Sequence, residues 1–154
     1  MMSRQMGSIM YFMNYRFKGW EANILPINNE YKSISSPRDL YEALTKCWCA
    51  ETSPPRMRDK WTPGNMTLGQ CSITAFLAQD IFGGEVYGIP LPGGFFHCFN
   101  VVDDRLFDLT NEQFGAEALD YNNCYIQSRR AHFDNPEKKE RYEILKKRLK
   151  ELTG

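Results

Sequence analysis

Cysteine, histidine and aspartate follow one another along this chain as Cys71, His97 and Asp108. These residue types together suit nucleophilic acyl transfer. A thiolate attacks a carbonyl, an imidazole passes its proton to the leaving group, and a carboxylate orients the ring. The three lie far apart in sequence, so the chemistry depends on folded elements bringing them together.

The first element is a helix start. In Thr67-Leu68-Gly69-Gln70-Cys71-Ser72-Ile73-Thr74-Ala75, Thr67 reads as N-cap and Gln70 completes a T-x-x-Q capping box. Ile73, Phe76, Leu77 and Ile81 follow at helical spacing, and Gly83-Gly84 supplies the stop. Cys71 then sits near the positive end of the helix dipole, which favours thiolate. A cysteine in such a place also serves simply as a small apolar filler.

The second element is a hairpin. Phe95 to Val102 reads as a strand, Asp103-Asp104 as a turn and Arg105 to Thr110 as the return strand. A two-residue loop pairs Val102 with Arg105 and Phe99 with Asp108. His97 and Asp108 then share a face, diagonally adjacent, with Phe99, Val101 and Leu106 beside them. A carboxylate among apolar neighbours needs a partner. Asp108 would fix the tautomer of His97 and favour its charged form. The same pair could equally close the hairpin with no catalytic part.

Around these, Ser36-Pro37-Arg38-Asp39 opens an earlier helix with Leu40, Leu44, Cys47 and Trp48 on one face. Residues 51–65 form a connector anchored by Trp61, and Pro90–Gly94 reads as a turn or flap; both could border a groove. Glu112 to Leu119 reads as a short helix and Tyr121 to Ile126 as strand or loop. Arg129, Arg130 and His132 read as solvated surface or as partners of nearby acids. Asn135-Pro136-Glu137 caps a last helix with Ile144, Leu145, Leu149 and Leu152 as its apolar stripe. Residues 1–34 form an N-terminal arm of unassigned structure with a weak strand signal at Met10–Phe17, and 35–154 form one domain.

Bulk numbers agree with one domain: 154 residues are too few for two comfortable cores. Formal net charge is zero, so no global field draws nucleic acid or an anionic membrane. Five cysteines in no regular framework read as a reduced, cytoplasmic protein. No apolar run reaches the length of a membrane span, and no signal peptide is visible. Cofactors are expected to be none. Partners are expected to be a peptide, amide or small-molecule substrate, and no oligomeric state is indicated.

Gly69-Gln70-Cys71, His97-Cys98-Phe99-Asn100 and Leu106-Phe107-Asp108-Leu109-Thr110 resemble, in that order, the nucleophile, histidine and aspartate motifs of transglutaminase-like proteins. A longer resemblance, from about residue 36 to the end, is to the YunG-like family of small bacterial proteins. It rests on Trp48 to Ser53, Trp61-Thr62-Pro63, Leu68 to Ala75, Gln79 to Gly84, His97 to Asn100, Asp108-Leu109-Thr110 with Gln113-Phe114, and Arg141 to Leu145. Cys49 stands where a serine is expected. These resemblances imply an α+β domain of papain-like, transglutaminase-like type, a central helix on a small antiparallel sheet. The transglutaminase-like one implies a cysteine-dependent acyl-transfer enzyme with Cys71, His97 and Asp108 as its triad; the YunG-like one supports the fold and specifies no substrate. Gln70 is the oxyanion candidate, beside the Cys71 backbone N–H, and Trp61 and Asn100 are candidates to line the site. The alternatives are a non-catalytic binding or regulatory module and, least favoured, a metal site on Cys71, His97 and Asp108 with Cys98 or Cys124. Cys98 alternates away from His97 on the strand, which argues against metal.

Overall fold

The structure, a computed structural model, describes residues 17–115 and 117–154. Helix α1 (Pro37–Leu44) is followed by 3-10 turns at Ala50–Thr52, Pro55–Lys60 and Pro63–Asn65, then by α2 (Cys71–Phe82). Strands β1 (Glu85–Leu91), β2 (Phe95–Val102) and β3 (Arg105–Phe107) come next, then a 3-10 turn at Asn111–Phe114 and strand β4 (Tyr125–Ile126). Helices α3 (Arg129–Phe133) and α4 (Pro136–Thr153) close the chain. The sheet is antiparallel, in the order β3-β2-β1-β4. This is a mixed α+β architecture.

Helix α2 is central because it is apolar on nearly all sides, which only a buried helix tolerates. Ile73, Ala75, Phe76, Leu77, Ala78, Ile81 and Phe82 are all buried. One side lies on β2, where the Asn100 side chain donates to the Ala75 carbonyl at 2.8 Å. The other side meets Leu40 and Leu44 of α1 and Tyr142, Leu145 and Leu149 of α4 in one core. Each fully buried leucine there contributes about 2 kcal/mol through the area it removes from water. Phe17, Ile24, Tyr31 and Ile34 join the same core, so residues 17–34 pack with the rest of the domain.

Chain punctuation follows the sequence at several ends. Ser36 accepts from the Asp39 N–H with Pro37 at the first helical position, and Asn135 caps α4 in the same way ahead of Pro136. Helix α2 stops at Gly83 and Gly84, both in the left-handed region at φ +81° and +74°. Asp103 and Asp104, at φ +49° and +66°, form the two-residue turn and fix the register Val102↔Arg105 and Asn100↔Phe107.

Other expectations need correction. Helix α1 ends at Leu44, before Cys47 and Trp48, whose N–H groups both return to the Leu44 carbonyl. Both side chains are nonetheless buried. Pro90 and Leu91 belong to β1, and Gly93 and Gly94 make the turn. The helix expected over 112–119 is a single 3-10 turn, and the strand near 121–126 is only Tyr125–Ile126. In α4 the buried seam is Arg141, Tyr142, Leu145 and Leu149, while Leu152 is 46% exposed. Apart from Phe17, the strand signal at Met10–Phe17 lies outside the described residues.

Candidate active site

The loop before Cys71 is held by contacts from distant parts of the chain. Ser53 Oγ donates to the Leu68 carbonyl at 2.6 Å, and the Gly69 N–H donates to Gln113 Oε1 at 3.1 Å. Gly69 takes φ +74°, and a Cβ there would fall 2.5 Å from Ser53 Oγ and 2.6 Å from Pro54. Arg141, buried under this loop, donates to the Thr52 carbonyl at 3.1 Å and the Gly69 carbonyl at 3.5 Å, and pairs with Glu137.

These ties replace the expected capping box. Helix α2 begins at Cys71, Gln70 is its N-cap, and no side chain caps it. Gln70 is fully buried and spends its amide N–H on the Cys49 carbonyl at 3.2 Å. The first turn-to-turn bond of the helix runs from Thr74 N to Gln70 O, so the N–H groups of Cys71, Ser72 and Ile73 precede the helical ladder.

The hairpin delivers His97 to Asp108 as its register requires. His97 Nε2 and Asp108 Oδ2 are 2.6 Å apart, both side chains fully buried. The carboxylate is otherwise satisfied: Tyr121 donates its hydroxyl to Oδ2 at 2.8 Å and the Thr110 N–H donates to Oδ1 at 3.2 Å. Strand β3 stops at Phe107, and the Asp108 N–H turns to the Lys18 carbonyl at 2.8 Å. Phe114 packs edge-on against the imidazole, centroids 4.8 Å apart. Nδ1, the other ring nitrogen, is buried with no hydrogen-bond partner among the described residues.

Cys71 sits where β3 has run out. β3 pairs only with 100–102, so the lower half of β2 has an open edge on that side. The Phe96 carbonyl faces that open edge and lies 3.7 Å from Cys71 Sγ. A sulfur at the strand edge meets side chains from both faces: it interacts with His97 and also with Cys98. Strand alternation does separate Cys98 from His97, but it does not separate Cys98 from Cys71.

This setting controls charge. The Cys71 thiol is held well below its ordinary range, first by the hydrogen bond from Cys98 and then, against the cost of burial, by His97. Burial alone would depress His97. The Asp108 hydrogen bond and the interactions with Cys71 outweigh it and push the imidazole up to about 10. Both shifts favour the thiolate–imidazolium form of the pair.

Cys71, which is partly exposed, opens onto a groove of ≈ 550 Å³. Phe95 and Phe96, 49% and 41% exposed, form one wall, with Arg56 stacked 4.4 Å over the Phe95 ring. Lys138, Arg141 and His132 also line it. Trp61 and Asn100 do not line this groove. Trp61 donates to the Met66 carbonyl at 2.9 Å and pins the connector to the core, while Asn100 ties β2 to α2. Among the described residues no group of three His, Cys, Asp or Glu is placed to hold a metal ion.

Two groove residues were not legible as such. His132 is buried, not solvated, with Nε2 3.2 Å from Ser72 Oγ and its ring 4.5 Å from that of Phe76. Burial, aided by Lys138, Arg141 and Arg129, pushes it down to about 4, so it is neutral. Arg129 does pair with an acid, Asp80, at 2.6 Å. Arg141 shows in sequence only as an i,i+4 partner of Glu137, and nothing local marks its burial.

The YunG protein family matches residues 36–154. A relative from Bacillus subtilis (strain 168), described as an uncharacterized protein YunG, is 30% identical over 103 residues, 67% of this chain and 82% of the relative. No solved structure matches. No helix among the described residues is long and apolar enough to cross a membrane.

Proposed function

The chain belongs to the YunG family, and we propose that it is a cysteine-dependent acyl-transfer enzyme of papain-like, transglutaminase-like type. The observation that carries this is the buried His97–Asp108 pair, 2.6 Å across, set beside a thiol that opens onto a groove.

Asp108 takes Nε2, which leaves Nδ1 as the nitrogen for the sulfur. The Cys71 thiolate attacks the carbonyl carbon of an amide, ester or thioester, and a C–S bond forms. His97 gives its proton to the departing amine, alcohol or thiol. Water or an amine then attacks the thioester, His97 takes its proton, and Cys71 is released as thiolate. The Cys71 N–H, free at the helix start, is the donor best placed for the oxyanion. Gln70, whose amide nitrogen donates one of its two hydrogens to the Cys49 carbonyl, is a second candidate through the other. The aromatic wall suits an apolar or aromatic acyl group.

The test is alkylation. Iodoacetamide should label Cys71 at pH 6 much faster than the other four cysteines, and His97→Ala should slow it by about a hundredfold or more, as the thiolate population collapses. Slow labelling at every cysteine, rising only near the free-thiol range, would remove the enzyme reading. A binding module built on the same groove would then stand in its place.

A further inference from the structure

We propose that Cys71 and Cys98 are an oxidisable pair: a hydroperoxide converts them to a disulfide that masks the nucleophile, and a thiol reductant restores it. As regulation of the same sulfur, this rests on the acyl-transfer reading for the thiolate at Cys71.

The placement is specific. Cys98 lies on the α2-facing side of β2, in a small apolar cluster with Ala75, Phe76 and Val86, and Cys71 packs on that cluster. Both side chains line the same groove. Cys71 is partly exposed, whereas Cys98 is only 5% exposed, so an oxidant arriving through the groove meets Cys71 first. Cys98 is kept as a thiol by its hydrogen bond to Cys71 and by burial, both of which push it up. None of the other three cysteines lines the groove. Contact between side chains from a helix start and an adjacent strand is what a bridge needs.

The steps balance. The Cys71 thiolate attacks the outer oxygen of the hydroperoxide. An S–O bond forms, the O–O bond breaks, and the alkoxide or hydroxide leaves and is protonated. Cys71 is now a sulfenic acid. The Cys98 sulfur attacks it as its own proton departs, the S–S bond forms, the S–O bond breaks, and water leaves. Two thiols are oxidised and one peroxide is reduced.

The experiment uses the full chain with hydrogen peroxide. No Lys or Arg lies between Trp61 and Arg105, so one tryptic peptide carries both cysteines. That peptide should lose about 2 Da, the two thiol hydrogens. After further cleavage at Glu85, its halves should stay joined until dithiothreitol is added. Iodoacetamide labelling of Cys71 should fall about tenfold or more on oxidation and recover on reduction. In Cys98→Ser, dimedone should capture a sulfenic acid at Cys71 that the unaltered chain hardly shows. Equal dimedone capture in both proteins, or a bridge to Cys49 or Cys124, overturns the proposal. Fast labelling at pH 6 without a bridge overturns this pair and leaves the enzyme reading standing. Slow labelling without a bridge overturns both. The mapping of the unaltered chain decides the matter even if the variant misfolds.

Discussion

His97 and His132 are the two histidines of the chain, both are buried, and both reach the first turn of α2. They end in opposite charge states. Burial works against the imidazolium at both positions, so burial does not separate them. Their partners do. His97 has a carboxylate and a thiolate; His132 has a neutral hydroxyl and three nearby cations, Lys138, Arg141 and Arg129. One element thus holds a charged imidazole on one side and a neutral one on the other.

The strongest way to break this contrast is Asp108→Ala. It leaves His97 buried without its anion, and the variant should lose roughly 3–5 kcal/mol in urea unfolding. It should also lose most of the alkylation of Cys71 at pH 6. The pH dependence of the intact pair has a definite sign. The His97 share, from a raised pKa, is whole below about 6.5 and is lost as pH rises through about 10. The Cys71 share, from a lowered pKa, is whole above about 8.5 and is lost as pH falls through its folded value. Between about 6.5 and 8.5 the folded pair and the unfolded residues bind equal numbers of protons, so the two shares offset. Urea titrations should show a plateau there, then a decline toward pH 10 that His97→Gln lacks.

His132 supplies the opposite slope. Its folded pKa is depressed, so its contribution is present above about pH 6.5 and lost as pH falls through about 4. The loss is about 3 kcal/mol. His132→Gln should flatten the acid limb by that amount and leave alkylation of Cys71 at pH 7 nearly unchanged. An unchanged acid limb would mean that burial does not depress His132.

Two smaller changes sharpen the comparison. Tyr121→Phe removes a hydroxyl that donates to Asp108 at 2.8 Å and should cost about 1.5 kcal/mol, with little change at His132. Ser72→Ala removes the hydrogen bond between Ser72 and His132 Nε2, at 3.2 Å, and should cost about 0.5–1 kcal/mol without charging the ring. NMR titration of the two imidazoles would assign each effect to its own histidine.

What could be read beforehand divides along the same line. The His97–Asp108 pairing follows from strand alternation and a two-residue turn, both local rules, and the structure keeps that register. The helix carrying Cys71 was legible from its apolar spacing and its terminal glycines. Its first turn was not, because Thr67 and Gln70 lose their capping roles to contacts with Ser53, Gln113, Arg141 and Cys49. His132 meets Ser72 across 60 positions of chain, and Arg141 meets Gly69 across 72. No periodicity or spacing encodes such meetings. Strand alternation separates Cys98 from His97; the strand edge that sets one sulfur near both appears only in three dimensions.

That edge exists because β3 is three residues long. Four more residues of ladder, carrying the return strand to position 111, would give the Phe96 carbonyl a backbone donor and close the seam in which the sulfur rests. The stopping point of a short return strand therefore decides whether this scaffold has a seat for a nucleophile: a hairpin whose second strand ran on to position 111 would have none.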